Sequence, residues 1–400
     1  MITIAKKKDT EGISISPKIQ KLHLELQPFK SVSKLLHFHS DRLYQYLTKG
    51  DTFPIHIEIN LTNVCNQRCP WCINKNVKAN WRKPEYLNIK RLSMFLANFQ
   101  SLGGKTITWS GGGEPTCHPE FIEAVEECTK FGLEQALITN GAFDENLIPV
   151  ISNHMRWIRV SLDTINPDEY KKNKDTEIDV VIDRIIKLVS TRKSRVTPIV
   201  GINVNLGEWN FLDIKNIVLK SEELGVNYIQ FRPILGRPYV DAIYGEQLTP
   251  NFIKTVLLEL QLLNQKEKSC KVIVSKDKFK DLLEPNYGRN YDSCRHHRFF
   301  CVLNANGDLS VCMFHLYDER FVFGNIYNET FEAIWKGEQR KRVVKFCETG
   351  DLDLATCQVC CKGHEINKFL TYLYSEDGKP LKEVVLQTEE MKNDHNRNFL

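Results

Sequence analysis

The chain has 400 residues, 42% of them hydrophobic and 26% charged, with a formal net charge of +4. This is ordinary globular composition, enough for one large domain with a smaller one appended, and the slight basic excess gives no reason to invoke nucleic acid or an anionic membrane. No apolar run reaches the length of a membrane span and Met1–Lys8 lack the apolar core of a signal peptide, so a cytoplasmic location is expected, where 13 cysteines point to metal binding or catalysis rather than disulfides.

Residues 1–50 are polar, with one helical stretch near Ser33–Leu47, and read as a cap segment. Residues 51–285 alternate strand-like and helix-like runs. Strands are expected at His56–Leu61, Thr106–Trp109, Gln135–Thr139, Trp157–Leu162, Pro198–Asn205 and Tyr228–Arg232. Between them, Ile89, Leu92, Leu96, Phe99 and Leu102 recur at helical spacing, with Asn88 as N-cap and Gly103-Gly104 as the stop. Pro119 opens a second helix, and Ile178–Val189 and Leu212–Leu224 supply two more. Six βα repeats imply an α/β fold with a parallel sheet and right-handed crossovers. A helix at Phe252–Leu263 and a short strand at Lys271–Ser275 complete this region. In residues 286–374, Asn306-Gly307 predicts a hairpin turn between Val302-Leu303 and Leu309–Val311. Residues 375–400 form a charged tail poor in aromatics.

The first chemical motif follows the first strand directly. Cys65, Cys69 and Cys72 stand at C-x3-C-x2-C spacing. Three thiolates on one short loop can hold three corners of a 4Fe–4S cube and leave one iron open to a small chelating molecule. A zinc knuckle is the rival, but structural zinc needs four ligands and no fourth Cys or His lies close by. After the second strand comes Ser110-Gly111-Gly112-Gly113-Glu114-Pro115, whose glycines let backbone approach a ligand closely. Seven of the 13 cysteines crowd into residues 294–361. Cys294, Cys312, Cys357 and Cys360 are the expected four-thiolate set, suited to either zinc or an iron–sulfur cluster, with Cys301 and Cys361 as alternates for Cys294 and Cys360.

The cysteine loop and the Gly-Gly-Glu stretch resemble those of the radical S-adenosylmethionine (radical SAM) superfamily. The resemblance implies an open, six-stranded partial (β/α)6 barrel with its chemistry at the C-terminal strand ends. It also implies that S-adenosylmethionine chelates the open iron and is split reductively to a 5′-deoxyadenosyl radical. Carried over by position, Trp71 lies beside the adenine, Gly112, Gly113 and Glu114 contact the amino group, and Ser161 bonds the ribose; Asn203 and Arg232 are further pocket residues. The downstream cysteines, with Gly324-Asn325-Ile326 and Phe331-x2-Ile334-Trp335, are similar to the twitch or SPASM extension, which implies one auxiliary 4Fe–4S cluster. Their spacing is similar to that of 2-deoxy-scyllo-inosamine dehydrogenase. The expected function is therefore oxidation of a small polar substrate such as a sugar, aminocyclitol or nucleoside, with a flavodoxin- or ferredoxin-type reductant. The alternatives are epimerisation, with Cys301 returning a hydrogen atom, and maturation of a ribosomal peptide or protein. His296, His297 and His315 could accept the proton that alcohol oxidation releases.

Overall fold

The computed structural model describes residues 35, 38–75, 83–192, 197–234, 249–264, 269–283, 291–349, 352, 357 and 361–373. The cap segment falls largely outside these residues, and the polar tail wholly so. Helix α1 (Ser40–Lys49) ends at Gly50, whose φ of 73° lets its N–H reach back to the Tyr46 carbonyl at 2.8 Å. All six expected strands form: β1 (His56–Asn60), β2 (Thr106–Ser110), β3 (Glu134–Thr139), β4 (Met155–Ser161), β5 (Ile199–Leu206) and β6 (Tyr228–Pro233). Between β1 and β2, helix α2 (Ile89–Ser101) starts as its sequence requires. The Asn88 side chain accepts from the Arg91 N–H at 3.1 Å, and Ile89, Leu92, Phe95, Leu96 and Phe99 make one buried stripe. Helix α3 (Phe121–Lys130) follows β2, and the short α4 (Ile148–His154) follows β3. After β4 the crossover carries two helices, α5 (Pro167–Lys174) and α6 (Ile178–Ser190), and α7 (Ile214–Glu223) links β5 to β6. Helix α8 (Pro250–Asn264), strand β7 (Lys271–Val274) and helix α9 (Lys276–Leu283) come next.

The sheet does not stop at six strands. Its order is β10-β9-β8-β1-β2-β3-β4-β5-β6-β7, where β8 is Phe300–Leu303, β9 Asp308–Ser310 and β10 Val322–Asn325. Every pair from β8 through β7 is parallel, and β9 and β10 fold back antiparallel as a meander on β8. The Asn306-Gly307 hairpin therefore forms as expected, and the cysteine-rich region joins the sheet at the free edge of β1. Helices α10 (Phe331–Lys336), α11 (Glu338–Glu348) and α12 (His364–Tyr372) close the chain's described part. They are tied back to the stretch before β1: Trp335 Nε1 donates to the Thr52 carbonyl at 2.8 Å, and Asp51 takes Arg340 at 2.6 Å and Arg298 at 2.8 Å.

The sheet has two faces of different chemistry. Ile57 and Ile59 on β1, Ile158 and Val160 on β4, and Ile202 and Val204 on β5 pack into the main apolar core with the helices. Each such side chain, fully buried, contributes about 1.5–3 kcal/mol. The alternate residues, set by the two-residue period of a strand, are polar: His56, Glu58, Asn60, Thr108, Ser110, Arg159, Ser161, Asn203, Gln230 and Arg232. This face is concave. In a flat sheet, five interstrand steps would separate Glu58 on β1 from Arg232 on β6 by roughly 24 Å, far beyond the range at which charges act through water. Here Arg232 feels the charge of Glu58, and Glu58 that of Arg159 on β4, so the sheet curls around a shared interior.

Candidate active site

The loop carrying Cys65, Cys69 and Cys72 leaves the C-terminal end of β1. Its root is stitched on both sides. Thr62 Oγ1 donates to the Glu85 carbonyl at 2.7 Å, and the Gly113 and Glu114 N–H groups donate to Thr62 and Val64 carbonyls at 3.0 and 2.8 Å. A Cβ at Gly113 would overlap the backbone of Asn63 and Val64, so only glycine lets the two loops meet. The three thiols are all partly exposed. Asn140 Nδ2 lies 3.9 Å from Cys65 Sγ, and the Cys69 thiol points to Gln67 Oε1 at 3.8 Å. A set of three accessible soft donors on one loop suits three irons of a cube.

Beneath the loop, Lys174 and Asp163 form a fully buried ion pair at 2.6 Å. Burial opposes the Lys174 charge, but Asp163, Tyr170 and Cys69 together outweigh it and hold the ammonium well above its usual range. The same ammonium donates to the Ser161 carbonyl at 3.0 Å and lies 6.0 Å from the Trp71 ring. Trp71 stacks on Trp209 at 4.7 Å, within a small cluster that includes Cys69 and Ile234.

Glu114 directly follows the glycines of the second loop. Its carboxylate is buried, accepting from Thr116 Oγ1 at 2.8 Å, Thr139 Oγ1 at 2.7 Å and the Asn140 N–H at 2.8 Å. Burial raises its pKa despite these donors. The side chain thus ties the glycine loop to the end of β3. Ser161 and Asn203 stand opposite one another on β4 and β5, and Asn203 Oδ1 is buried with no hydrogen-bond partner among the described residues. An orphaned acceptor at the C-terminal strand ends fits a ligand hydroxyl.

The downstream thiols come together. Cys294 lies within range of the charges of Cys312, Cys347, Cys357 and Cys361, and Cys312 of those of Cys357 and Cys361, while Cys360 lies outside the described residues. Burial first, then the neighbouring thiols, pushes Cys294 and Cys312 far above the ordinary thiol range. Four desolvated thiolates are tolerable only around cationic charge such as an iron cluster supplies. Among the described residues no three His, Cys, Asp or Glu side chains converge on a point fit for one ion.

Cys301 is a correction. It pairs with Ile57 in register, is fully buried, and belongs to the apolar core on the helix side of the sheet. The period of the strand turns it away from the interior, which its neighbours Phe300 and Val302 face, so it is not placed to donate hydrogen there. Of the three histidines, His297 is buried against Phe323 and Glu348, and His315 stacks on Phe321 at 3.8 Å. His296 stacks on Phe300 at 6.0 Å and lies 3.3 Å from Cys294 Sγ.

Sequence reasoning named Arg232 but missed the other charges of the interior. Glu58 takes Lys362 at 2.9 Å, and Lys362 lies 3.9 Å from the Phe300 ring centre. Burial would raise Glu58, but Lys362 more than compensates and holds it below the usual carboxylate range. Arg159 joins them from β4. The signal was a charged residue inside the strand-like run His56-Ile57-Glu58-Ile59, and another in Trp157-Ile158-Arg159-Val160.

Comparison with known proteins agrees with this geometry. Residues 59–214 match the radical SAM superfamily, and residues 294–361 match SPASM, an iron–sulfur cluster-binding domain. A probable GTP 3′,8-cyclase of Methanocaldococcus jannaschii is 28% identical over 44% of this chain and 59% of its own. A GTP 3′,8-cyclase of Microcystis aeruginosa is 30% identical over 29% of this chain and 37% of its own. The chain thus spans about half the length of the curated relatives it matches. Among solved structures, Streptococcus suis SuiB bound to S-adenosylmethionine aligns with a TM-score of 0.60 at 13% identity, covering 82% of this chain and 77% of that one. AdoMet-bound anSMEcpe aligns with a TM-score of 0.55 at 17% identity, over 79% and 89%. These likenesses are of fold. No helix among the described residues is long and apolar enough to cross a membrane.

Proposed function

The chain is a radical SAM protein with a C-terminal SPASM domain, and its cofactors are S-adenosylmethionine, the 4Fe–4S cluster that binds it and an auxiliary cluster; from that premise we propose that it oxidises a small polar substrate inside the curled sheet. Cys65, Cys69 and Cys72 would hold the first cluster. Cys294, Cys312, Cys357 and Cys361 would hold the auxiliary one; Cys361 is taken as the fourth ligand because Cys294 and Cys312 feel its charge, while Cys360 lies outside the described residues. When bound, these groups supply a 5′-deoxyadenosyl radical that removes hydrogen from carbon and an acceptor for the electron left behind.

The chain's own residues do the rest. The backbone of Gly112 and Gly113 and the pair Ser161 and Asn203 would orient the cofactor. Loss of two hydrogens from an alcohol or amine also needs a proton acceptor for the O–H or N–H. Glu58 fits: its carboxylate faces the interior and Lys362 keeps it ionised. The observation that carries the reading is this Lys362–Glu58 contact, because Lys362 directly follows Cys361. It sets the auxiliary thiols against the interior, where an electron acceptor is useful.

Reconstituted protein incubated anaerobically with polyols, aminocyclitols and nucleosides should give one oxidised product per 5′-deoxyadenosine. A redox-neutral product contradicts the reading. It would favour cyclisation, the activity named in the curated relatives, or epimerisation without Cys301 as donor. Peptide maturation is the second reading, since the fold also matches SuiB bound to its precursor peptide SuiA.

A further inference from the structure

The interior carries more positive than negative charge. Glu58 is matched by Lys362, but Arg159 on β4 and Arg232 on β6 have no carboxylate partner among the described residues. The contacts of Arg159 are Gln230 Oε1 at 3.5 Å and the Trp157 ring at 5.8 Å. The Nε of each arginine is buried with no hydrogen-bond partner among the described residues. Burial, and then the repulsion of Arg159, lowers Arg232 to about 9. Two half-buried guanidiniums within range of each other's charge are costly unless an anion joins them, and a guanidinium fork matches a carboxylate or phosphate in shape as well as charge.

We propose that the substrate carries an anionic group, a carboxylate or a phosphate, and that Arg159 and Arg232 receive it together. This rests on the reading that the interior is the substrate site. Glu58 faces the same interior from β1, so the anion anchors one end of a small molecule while its O–H or N–H faces the carboxylate. The site selects against neutral sugars and cationic aminocyclitols, and it narrows the substrate class to acidic sugars, sugar phosphates, nucleotides and similar small acids.

The test uses the reconstituted holoenzyme, with inorganic phosphate and malonate as separate probes, titrated calorimetrically. At least one probe should bind the wild type, and Arg159→Gln/Arg232→Gln should weaken it at least tenfold; Arg159→Lys/Arg232→Lys should recover part of the loss. Whichever probe binds more tightly identifies the group. If the Gln variant does not fold, the wild type alone decides: the bound anion should protect Arg159 and Arg232 from phenylglyoxal, read by mass spectrometry. Absence of binding by both probes, binding unchanged in a folded double variant, or no protection overturns the proposal. Failure of the underlying reading is read separately: a probe that binds through both arginines but does not compete with turnover of the oxidised substrate shows that the interior is not the substrate site.

Discussion

Lys174 Nζ lies 2.6 Å from Asp163 Oδ2, and both side chains are sealed from solvent directly under the first cysteine loop. Asp163 is held from the other side by the Asn205 N–H at 2.7 Å. Removing one member of such a pair leaves a buried charge uncompensated, at a cost of about 3–5 kcal/mol. Lys174→Met should therefore lower the melting temperature far more than Lys172→Met on the same helix, whose partner Glu169 is exposed. Because the Lys174 ammonium also acts on Cys69, the variant should bind less iron per folded chain. Equal melting of the two variants would contradict this account.

Glu114 is predicted to act through the loops it joins. Hydrogen bonds to a charged acceptor contribute about 1.5–3 kcal/mol each. Glu114→Ala strips the acceptor from Thr139 and from the Asn140 N–H, and Asn140 in turn borders Cys65. The variant should melt lower and bind S-adenosylmethionine more weakly, measured by calorimetry on the cluster-loaded protein. Full stability with lost binding would instead make Glu114 a direct ligand contact.

The thiol assignments separate cleanly by substitution. Cys361→Ser should reduce iron from about eight to about four per chain, the content of one cube. Cys360→Ser and Cys301→Ser should keep both clusters. Halved iron in Cys360→Ser, with Cys361→Ser unaffected, would reverse the choice of fourth ligand.

Acid should loosen the C-terminal helices. Burial would raise Asp51, but Arg340 and Arg298 outweigh it and hold its carboxyl below the usual range. A folded pKa below the unfolded value of about 3.9 gives stability that is complete above that pH and is lost as pH falls toward the folded pKa. Asp51→Asn should thus melt below the wild type at pH 7, and the gap should close below about pH 4. A gap that persists in acid would show that the carboxylate's charge is not what matters.

Much of the fold was legible because each level of the sequence agreed with the next. The Asn88 cap, the stripe through Phe99 and the stop at Gly103 each had a local physical cause, and all appear in α2. The three clustered thiols after β1 were equally plain. Cys301 was not, because both faces of β8 are buried and hydrophobicity alone does not tell which face meets helices; only its register with Ile57 does. Cys360 and Cys361 are adjacent, so spacing cannot choose between them. Arg232 was named as a pocket residue, but Glu58 and Arg159 escaped for a different reason: they are 101 positions apart and come within range of each other only because the sheet curls.

The most direct measurement is the yield of 5′-deoxyadenosine when reconstituted protein is reduced anaerobically with S-adenosylmethionine. The account predicts that wild-type protein forms it and that Cys65→Ala, Cys69→Ala and Cys72→Ala each abolish it while leaving the auxiliary iron in place. Fully loaded wild type that forms none, or a single-cysteine variant that forms as much, would contradict it.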